Sequence, residues 1–360
     1  MKVGHVLSAA LYMGFLLCVG VVCLLRPVPD DFDRYIYEAI VRGRTQSLQA
    51  IYPIVKHSNP RAEASSVLDS PEHMGQLEPL YAIRPVYIWA IELLARTGLP
   101  IQKAINGVSA MSLVGIGLLL FGCTRAPLPC ALIMASPAIV LLGRMGTPDA
   151  LSALFILSSA WALSERKDLL GLLLLMTSVW VRTDNVLLVL ILLAWLGFEG
   201  RLRFLHAGVL AALALCSVLF INHYSGNYGW SILFHYSFIG GRSPAEVPTH
   251  VTFRQYAVAF AKGAEQIGGQ QMSLWILLGI TAFYRGARPA KFRWMLVPFA
   301  VAAATRFVLF PTIEDRYFAW AYLVVGAAFL EGMFPNEASA SQPASSTPSL
   351  EMIAPQTPHS

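Results

Sequence analysis

Three carboxylates stand within four residues at Asp30-Asp31-Phe32-Asp33, immediately after the first long apolar stretch of the chain. Crowded carboxylates that are partly shielded from water repel one another, so the pKa of at least one should rise. A carboxylate with a raised pKa is suited to act as a general base. The alternative role is structural, because aspartate also caps helix amino termini and Tyr35-Ile36-Tyr37-Glu38 follows as a helix start. Both roles can coexist.

Several arginines are candidates for holding a phosphate. A guanidinium forks onto two oxygens and keeps its charge near lipid, which suits a phosphate better than a lysine does. Arg34, Arg84 and Arg316 are candidates, although for any one of them alone contact with lipid headgroups or a nearby acid is the favoured explanation. Arg306 is harder to explain structurally, because it lies inside an apolar stretch four residues before Phe310.

Two further acids have competing interpretations. Asp149 opens a helix in Gly146-Thr147-Pro148-Asp149-Ala150, so a functional role and a capping role are equally supported. Asp184 follows Arg182 in a short tip, where a local Arg–Asp pair is expected. The eight histidines show no zinc-type spacing such as His-Glu-x-x-His, and the five cysteines lie in apolar stretches. A zinc hydrolase and a disulfide framework are therefore not indicated.

The elements that position these residues are membrane helices. Of 360 residues, 56% are hydrophobic and 13% are charged, and the mean hydropathy is +0.58. Soluble domains carry about 25% charged residues. Apolar stretches recur from Leu7 to Met333, so the prediction is an all-α polytopic membrane domain over 1–334. The net charge of +5 comes from short loops, where lysine and arginine act as topology signals and not as nucleic-acid contacts.

The positive-inside bias predicts about ten spans, with the amino terminus in the cytoplasm and outer loops at about 26–99 and 223–270. Within the first loop, Leu80 to Thr97 is predicted to be one amphipathic helix at the interface, since charged residues interrupt its apolar face. Leu128 to Gly143 is predicted to be a single span. After Pro335 the composition of Ser, Pro, Ala, Thr and Gln predicts a disordered cytoplasmic tail, 335–360.

The stretches Leu169 to Val181 and Val186 to Gly197 are predicted to form a hairpin. One continuous helix would bury Arg182 and Asp184 at mid-membrane, at ~2.5–3.5 kcal/mol each. On the resulting topology the conspicuous polar residues of the outer half face one side, which predicts a single cavity lined by acids and arginines. These residues are Asp30, Asp31, Asp33, Arg34, Arg84, Arg144, Asp149, Arg182, Asp184, Arg306, Glu314, Asp315 and Arg316.

In their order along the chain these residues resemble the membrane-embedded glycosyltransferases of the GT-C class, in particular the bacterial aminoarabinose and protein O-mannosyl transferases. Asp31-Phe32-Asp33-Arg34-Tyr35 is similar to the acidic element and Arg-Tyr at the start of their first outer loop. Arg84-Pro85-Val86-Tyr87-Ile88-Trp89 is similar to the Lys-Pro and aromatic juxtamembrane helix of the aminoarabinose branch, with Arg in place of Lys.

The resemblance continues through Ser136-Pro137 and Gly143-Arg144 to Asp149, which resembles the acid of the second outer loop. Asp315-Arg316-Tyr317-Phe318 is similar to the Arg-Tyr that opens a late span. The motifs are short, and together they cover most of 30–318. Phe32 stands where the aminoarabinose branch has Glu, so which of the three aspartates is the base stays open.

The resemblance implies an inverting glycosyltransferase of the bacterial inner membrane, with its active site facing the periplasm. Asp31, or else Asp30 or Asp33, would deprotonate an acceptor hydroxyl. Arg84, with Arg34, Arg306 or Arg316, would stabilise the departing lipid phosphate. The implied partners are a polyprenyl-phosphate sugar donor, membrane lipids, and a glycan, lipid or protein acceptor.

No cofactor is required by this scheme, because arginines supply the positive charge. A divalent ion, Mg or Mn, held by Asp30 and Asp31 is an open alternative. The alternative functions are a polysaccharide polymerase or ligase, which also uses outer-loop arginines with a lipid carrier, and a transporter or flippase of a lipid-linked substrate. A transporter is less favoured, since its ionisable groups would lie near mid-membrane, and a scaffold leaves Arg306 and the acidic cluster unexplained.

Overall fold

The structure, a computed structural model, describes residues 2–28, 31–57, 69–241, 243–267, 271–285, 292–312 and 314–333. Over these ranges the chain forms seventeen α-helices and no strand. The predicted all-α class is therefore confirmed for the part of the chain that the structure describes. Asp30 and the predicted tail at 335–360 lie outside these ranges.

A long apolar helix is followed by four shorter helices in the predicted first loop. They are α1 (Lys2–Leu25), α2 (Asp33–Gly43), α3 (Leu48–His57), α4 (Pro71–Ala82) and α5 (Pro85–Ala95). The prediction of one helix over Leu80 to Thr97 is wrong, because α4 ends at Ala82 and α5 begins at Pro85. Proline lacks an amide hydrogen and disfavours helical geometry in the residue before it. The break leaves Arg84 at the start of α5, with φ −126° and ψ 59°.

The central helices are connected by short turns. They are α6 (Ile101–Thr124), α7 (Pro127–Met134), α8 (Pro137–Arg144), α9 (Asp149–Ser164), α10 (Asp168–Val181), α11 (Val186–Phe198) and α12 (Phe204–Tyr224). The span predicted from Leu128 to Gly143 consists of two helices, α7 and α8, bent by 65° in front of Pro137, and the pair together remains a candidate span. A 3₁₀ turn at Thr183–Asn185 separates α10 from α11, so the two predicted helices are confirmed as separate elements.

Five helices complete the described chain: α13 (Trp230–Phe234), α14 (Phe253–Gln266), α15 (Met272–Arg285), α16 (Leu296–Leu309) and α17 (Ala319–Met333). A capping box at Thr252 and Gln255 opens α14. This helix lies over the end of α16, where the Tyr256 hydroxyl donates to the Val308 carbonyl. A Cβ on Gly263 would collide with the Pro311 carbonyl oxygen, so the close approach requires glycine.

Among the described residues, three helices are long and apolar enough to cross a membrane, namely α1 from Val6 to Leu25, α6 and α12. The bent pair α7 and α8 gives a fourth candidate span. Six further apolar stretches of 10–17 residues are shorter than a single crossing usually requires. Many large apolar side chains on α1 and α12, such as Leu25 and Leu219, are exposed, as expected of helices that face lipid.

The largest apolar core lies between α1, α6 to α12, and α15 to α17. The loop after α1, the start of α9 and the end of α10 meet at one end of this bundle. There the Val28 amide donates to the Arg144 carbonyl at 3.0 Å, and Arg182 pairs with Asp149. The end of α16 and the turn before α17 reach the same place, because Arg306 pairs with Asp184 and Arg316 with Asp33. These contacts position the charged residues described next.

Candidate functional site

Asp31 lies against the loop between α8 and α9, where only 3% of it is exposed. Its carboxylate accepts a hydrogen bond from the backbone amide of Gly146. Burial raises the pKa of Asp31 to about 6, and repulsion from Asp33 adds to the rise, while the Gly146 amide, Arg316 and Arg34 partly offset it. Asp31 is therefore mostly ionised at neutral pH and close enough to its pKa to exchange a proton efficiently.

Gly146 makes room for Asp31. A Cβ at this position would lie 2.8 Å from Cγ2 of Ile105, 3.0 Å from Cβ of Arg34 and 3.1 Å from Oδ2 of Asp31. Real side chains essentially never tolerate the first of these distances, so only glycine lets the loop approach so closely. The position was not predicted as part of the site, although it stands three residues before Asp149.

Asp33 has a different environment from Asp31. Its carboxylate accepts hydrogen bonds from the Tyr81 hydroxyl at 2.6 Å and from Nη1 of Arg316 at 2.8 Å. Burial alone would raise the pKa of Asp33, but the charges of Arg316 and Arg84 outweigh it and hold the pKa below its usual range. The pKa values of these two aspartates are therefore shifted in opposite directions. Asp31 is suited to proton exchange, and Asp33 keeps a fixed negative charge.

The capping interpretation is wrong for Asp31, Asp33 and Asp149. Phe32 is the N-cap residue of α2, and no side chain caps that helix. Pro148 is the N-cap residue of α9, again without a side-chain cap, and Asp149 pairs with Arg182 instead. The carboxylates therefore engage in tertiary contacts.

A second group of charges surrounds Asp184. Arg182 donates to both of its carboxylate oxygens, at 3.0 and 2.9 Å, and Arg306 donates to Oδ2. The local Arg–Asp pair predicted from the sequence is confirmed. Burial would raise the pKa of Asp184, but Arg182 and Arg306 outweigh it and hold the pKa far below its usual range. Arg306 is only 8% exposed, and its ion pair with Asp184 offsets part of the cost of burying a guanidinium.

The ring of Tyr317 joins the two groups. The guanidinium carbons of Arg316, Arg306 and Arg182 lie 4.7, 4.8 and 5.1 Å from its centroid. Nη2 of Arg316 also donates to the Tyr317 hydroxyl at 3.0 Å. A cation over an aromatic face is stabilised by about 0.5–2 kcal/mol, so one ring orients three arginines. Sequence reasoning did not assign Tyr317 a role, and the Arg316-Tyr317 dipeptide was its only signal.

Arg84 and Arg34 contact phenols. Arg84 donates to the Tyr37 hydroxyl and lies 5.2 Å from the ring centroid of Tyr81. Arg34 donates to the Tyr35 hydroxyl at 3.0 Å, and its buried Nε has no hydrogen-bond partner in the described part of the chain. Neither arginine forms an ion pair with a described carboxylate, whereas Arg182, Arg306 and Arg316 each do. These two guanidiniums are therefore the ones best able to receive an anion.

Three residues expected on the same side have other partners. Arg144 donates through Nε to the Arg26 carbonyl at 2.8 Å, and Glu314 accepts from Arg316 at 2.7 Å at the exposed rim. Asp315 accepts from the Tyr322 hydroxyl at 3.0 Å, and burial raises its pKa. Arg144 and Asp315 thus support the helix ends around the network without contacting its other charges.

A divalent metal ion held by Asp30 and Asp31 is the open alternative to a site built from arginines. No group of three or more His, Cys, Asp or Glu side chains that could hold one occurs among the described residues. Asp33 accepts hydrogen bonds from two donors, and Asp31 accepts one from the Gly146 amide. The predicted involvement of Asp30 lies outside the described residues.

An apolar groove adjoins the network. It has a volume of about 460 Å³ and lies between α15, α16 and α17. Phe307 and Phe318 line it, and these are the sequence neighbours of Arg306 and Tyr317. An apolar groove and a cationic cluster therefore lie side by side.

No family model matches this chain, and neither the curated proteins nor the solved structures include a match. Functional inference therefore depends on the geometry of these residues.

Proposed function

We propose that this protein is an integral membrane glycosyltransferase that transfers a sugar from a polyprenyl-phosphate donor to an acceptor hydroxyl, with inversion at the anomeric carbon. The observation that carries the proposal is that Arg34 and Arg84 form no ion pair with a described carboxylate, while Arg34 lies close to the buried Asp31. An apolar groove adjoins the neighbouring residues Arg306 and Tyr317. A lipid phosphate that leaves during transfer needs a cationic site, a base for the incoming hydroxyl and an apolar channel for its chain.

The donor phosphate binds Arg84 and Arg34 in this scheme. Both can turn guanidinium nitrogens towards an anion without giving up a carboxylate. The isoprenoid chain lies in the groove between α15, α16 and α17, whose lining side chains, such as Met272, Ile276 and Val325, are apolar. Arg306 and Arg316 were also predicted as phosphate ligands, but they already pair with Asp184 and Asp33. Their role in this scheme is to make the electrostatic potential around the site more positive.

The reaction is a single displacement. Asp31 accepts the proton of the acceptor hydroxyl while that oxygen bonds to the anomeric carbon. The bond between the anomeric carbon and the phosphate oxygen breaks, and the phosphate leaves with the electron pair. Arg84 and Arg34 compensate the charge that develops on it, in a site sheltered from water. Asp33 keeps its negative charge throughout and holds Arg316 in place.

The proposed topology has ten crossings of the bacterial inner membrane, with the charged network at the periplasmic face. Arg166 and Lys167 lie between α9 and α10, and Arg201 and Arg203 follow α11. These basic loops are at the opposite ends of their helices from Asp149 and the 3₁₀ turn at Thr183–Asn185, as the positive-inside bias requires. The shorter helices would cross as members of a bundle.

A transfer assay tests the function. The protein, reconstituted in vesicles, is incubated with polyprenyl phosphates that carry different labelled sugars and with envelope extract as acceptor. Asp31→Asn should reduce transfer by at least 100-fold, in line with the ~10²–10⁴ that a general base contributes. The matched control is Asp168→Asn, which removes a carboxylate paired with Arg201 at the other end of α10 and should leave transfer unchanged.

Wild-type transfer by Asp31→Asn would show that Asp31 is not the base. Movement of the labelled donor across the bilayer without transfer would replace the proposal with a flippase, and a ladder of growing products would replace it with a polymerase. Topology is checked separately with Ser70→Cys in a cysteine-free protein. Labelling of this residue only from the cytoplasm would refute the periplasmic site.

A further inference from the structure

A second cavity, of about 720 Å³, lies where α12 ends, beside α4, α5 and α10. Its lining includes Arg44, Glu78, Trp180, Phe220 and Tyr224. It shares no lining residue with the apolar groove between α15 and α17. A ligand of this cavity would therefore be separate from the proposed donor chain.

The depth of the cavity follows from α12. This helix is long and apolar enough to cross a membrane, and its last residues, Phe220, Ile221 and Tyr224, line the cavity. The ring centroids of Trp180 and Phe220 are 6.3 Å apart, and those of Phe220 and Tyr224 are 6.1 Å apart. Tryptophan and tyrosine collect where a span meets the lipid headgroups. The cavity thus opens at headgroup depth.

Two opposite charges line this cavity. The Glu78 carboxylate is partly buried and makes no hydrogen bond or ion pair with any residue that the structure describes. Burial raises the pKa of Glu78, with no cation close enough to offset it. Arg44 donates through Nε to Glu92 at 3.2 Å, and its terminal nitrogens make no hydrogen bond within the described ranges. The cavity therefore offers an acceptor for a cation and donors for an anion.

We propose that this cavity binds the headgroup of an ethanolamine phospholipid from the bilayer, with the ammonium group on Glu78 and the phosphate on Arg44. A primary ammonium has three N–H donors for a carboxylate, whereas a choline headgroup has none and a glycerol headgroup has no cation. The acyl chains extend along Phe220 and the exposed Leu219 of α12. The site is independent of the proposed transfer reaction.

Tryptophan quenching tests the proposal. The full chain is placed in choline-lipid nanodiscs that contain small fractions of lipids with brominated acyl chains and an ethanolamine, choline or glycerol headgroup. The signal of Trp180 is obtained as the difference from a Trp180→Phe protein. The ethanolamine lipid should quench Trp180 at a mole fraction about tenfold lower than the choline lipid, since charge-assisted hydrogen bonds discriminate by about that factor or more.

Glu78→Gln should abolish the preference, and Glu72→Gln, an exposed acid on the same helix, should keep it. If Glu78→Gln does not fold, Arg44→Gln provides the second variant and should weaken quenching by the ethanolamine and glycerol lipids. Equal quenching by all three lipids, an unchanged preference in Glu78→Gln, or undiminished quenching in Arg44→Gln would overturn the proposal.

Discussion

Replacement of Asp31 by asparagine should stabilise the protein while abolishing transfer. Asp31 is 3% exposed, and its pKa lies at about 6 against an ordinary value of 3.8, mainly because burial disfavours the carboxylate. The native state therefore holds this proton more tightly than the unfolded chain, and stability falls as the pH rises from about 4 through 6. The full loss is roughly 3 kcal/mol, reached near pH 7. Asparagine has no charge to bury, and its oxygen can still accept the Gly146 amide.

The assay compares free energies of unfolding in mixed detergent micelles at pH 4 and pH 8. At pH 4 wild type and Asp31→Asn should be similar, and at pH 8 the variant should be more stable by about 2–3 kcal/mol. Asp33→Asn is the matched control with the opposite sign. The pKa of Asp33 is lowered in the fold by Arg316, so its stabilising effect is present above its unfolded pKa and disappears as the pH falls. This variant should be destabilised at pH 8.

The reasoning would be refuted by an Asp31→Asn protein that is less stable than wild type at pH 8. Such a result would mean that the ionised carboxylate is well compensated, and its selection as the base over Asp33 would lose its physical support. A variant that is stabilised yet fully active would support the cost of burying the Asp31 charge but would refute the role of Asp31 as the general base.

Three further predictions concern the same network. Gly146→Ala should destabilise the protein by about 1–3 kcal/mol through overpacking and reduce transfer more than tenfold, as measured in unfolding and transfer assays. The control Gly122→Ala has open space at its Cβ and should change neither stability nor transfer. Tyr317→Leu should lower stability by about 2 kcal/mol or more, because three cation–aromatic contacts are lost. Tyr317→Phe keeps the ring, so it should keep most of the wild-type stability in thermal unfolding. Arg84→Gln should reduce transfer about 10²–10³-fold at saturating acceptor, with Arg201→Gln as the remote arginine control.

The sequence predicted the helices better than the breaks within them. Uniform apolar stretches gave α1, α6 and α12 with nearly their observed limits, because length and composition alone decide such helices. The breaks in front of Pro85 and Pro137 were missed, since a proline inside an apolar run is compatible with either a kinked helix or two helices. Only the packing of the neighbouring helices decides between these outcomes.

The partners within the site could not be predicted. Arg316 and Asp33 are separated by 283 positions, and Tyr81 and Asp33 by 48. No local pattern encodes such contacts, because they depend on how helix ends meet in space. Capping was inferred for Asp149 from local context and was displaced by Arg182, a tertiary partner of opposite charge. The contribution of Gly146 depends likewise on what lies opposite its missing Cβ.

The distribution of charges within the network argues for a ligand. A network that served stability alone would pair each arginine with an acid, as Arg182, Arg306 and Arg316 are paired. Among the described residues Arg34 and Arg84 donate to phenols and to no carboxylate, while Asp31 keeps a raised pKa although Arg34 is close enough to lower it in part. The site thus contains arginines and a carboxylate whose charges are only partly compensated by the protein. Such an arrangement is typical of a site that binds a charged substrate. A bound phosphate ester would complete the pairing of the arginines, and a neutral hydroxyl would supply the proton that Asp31 is prepared to accept.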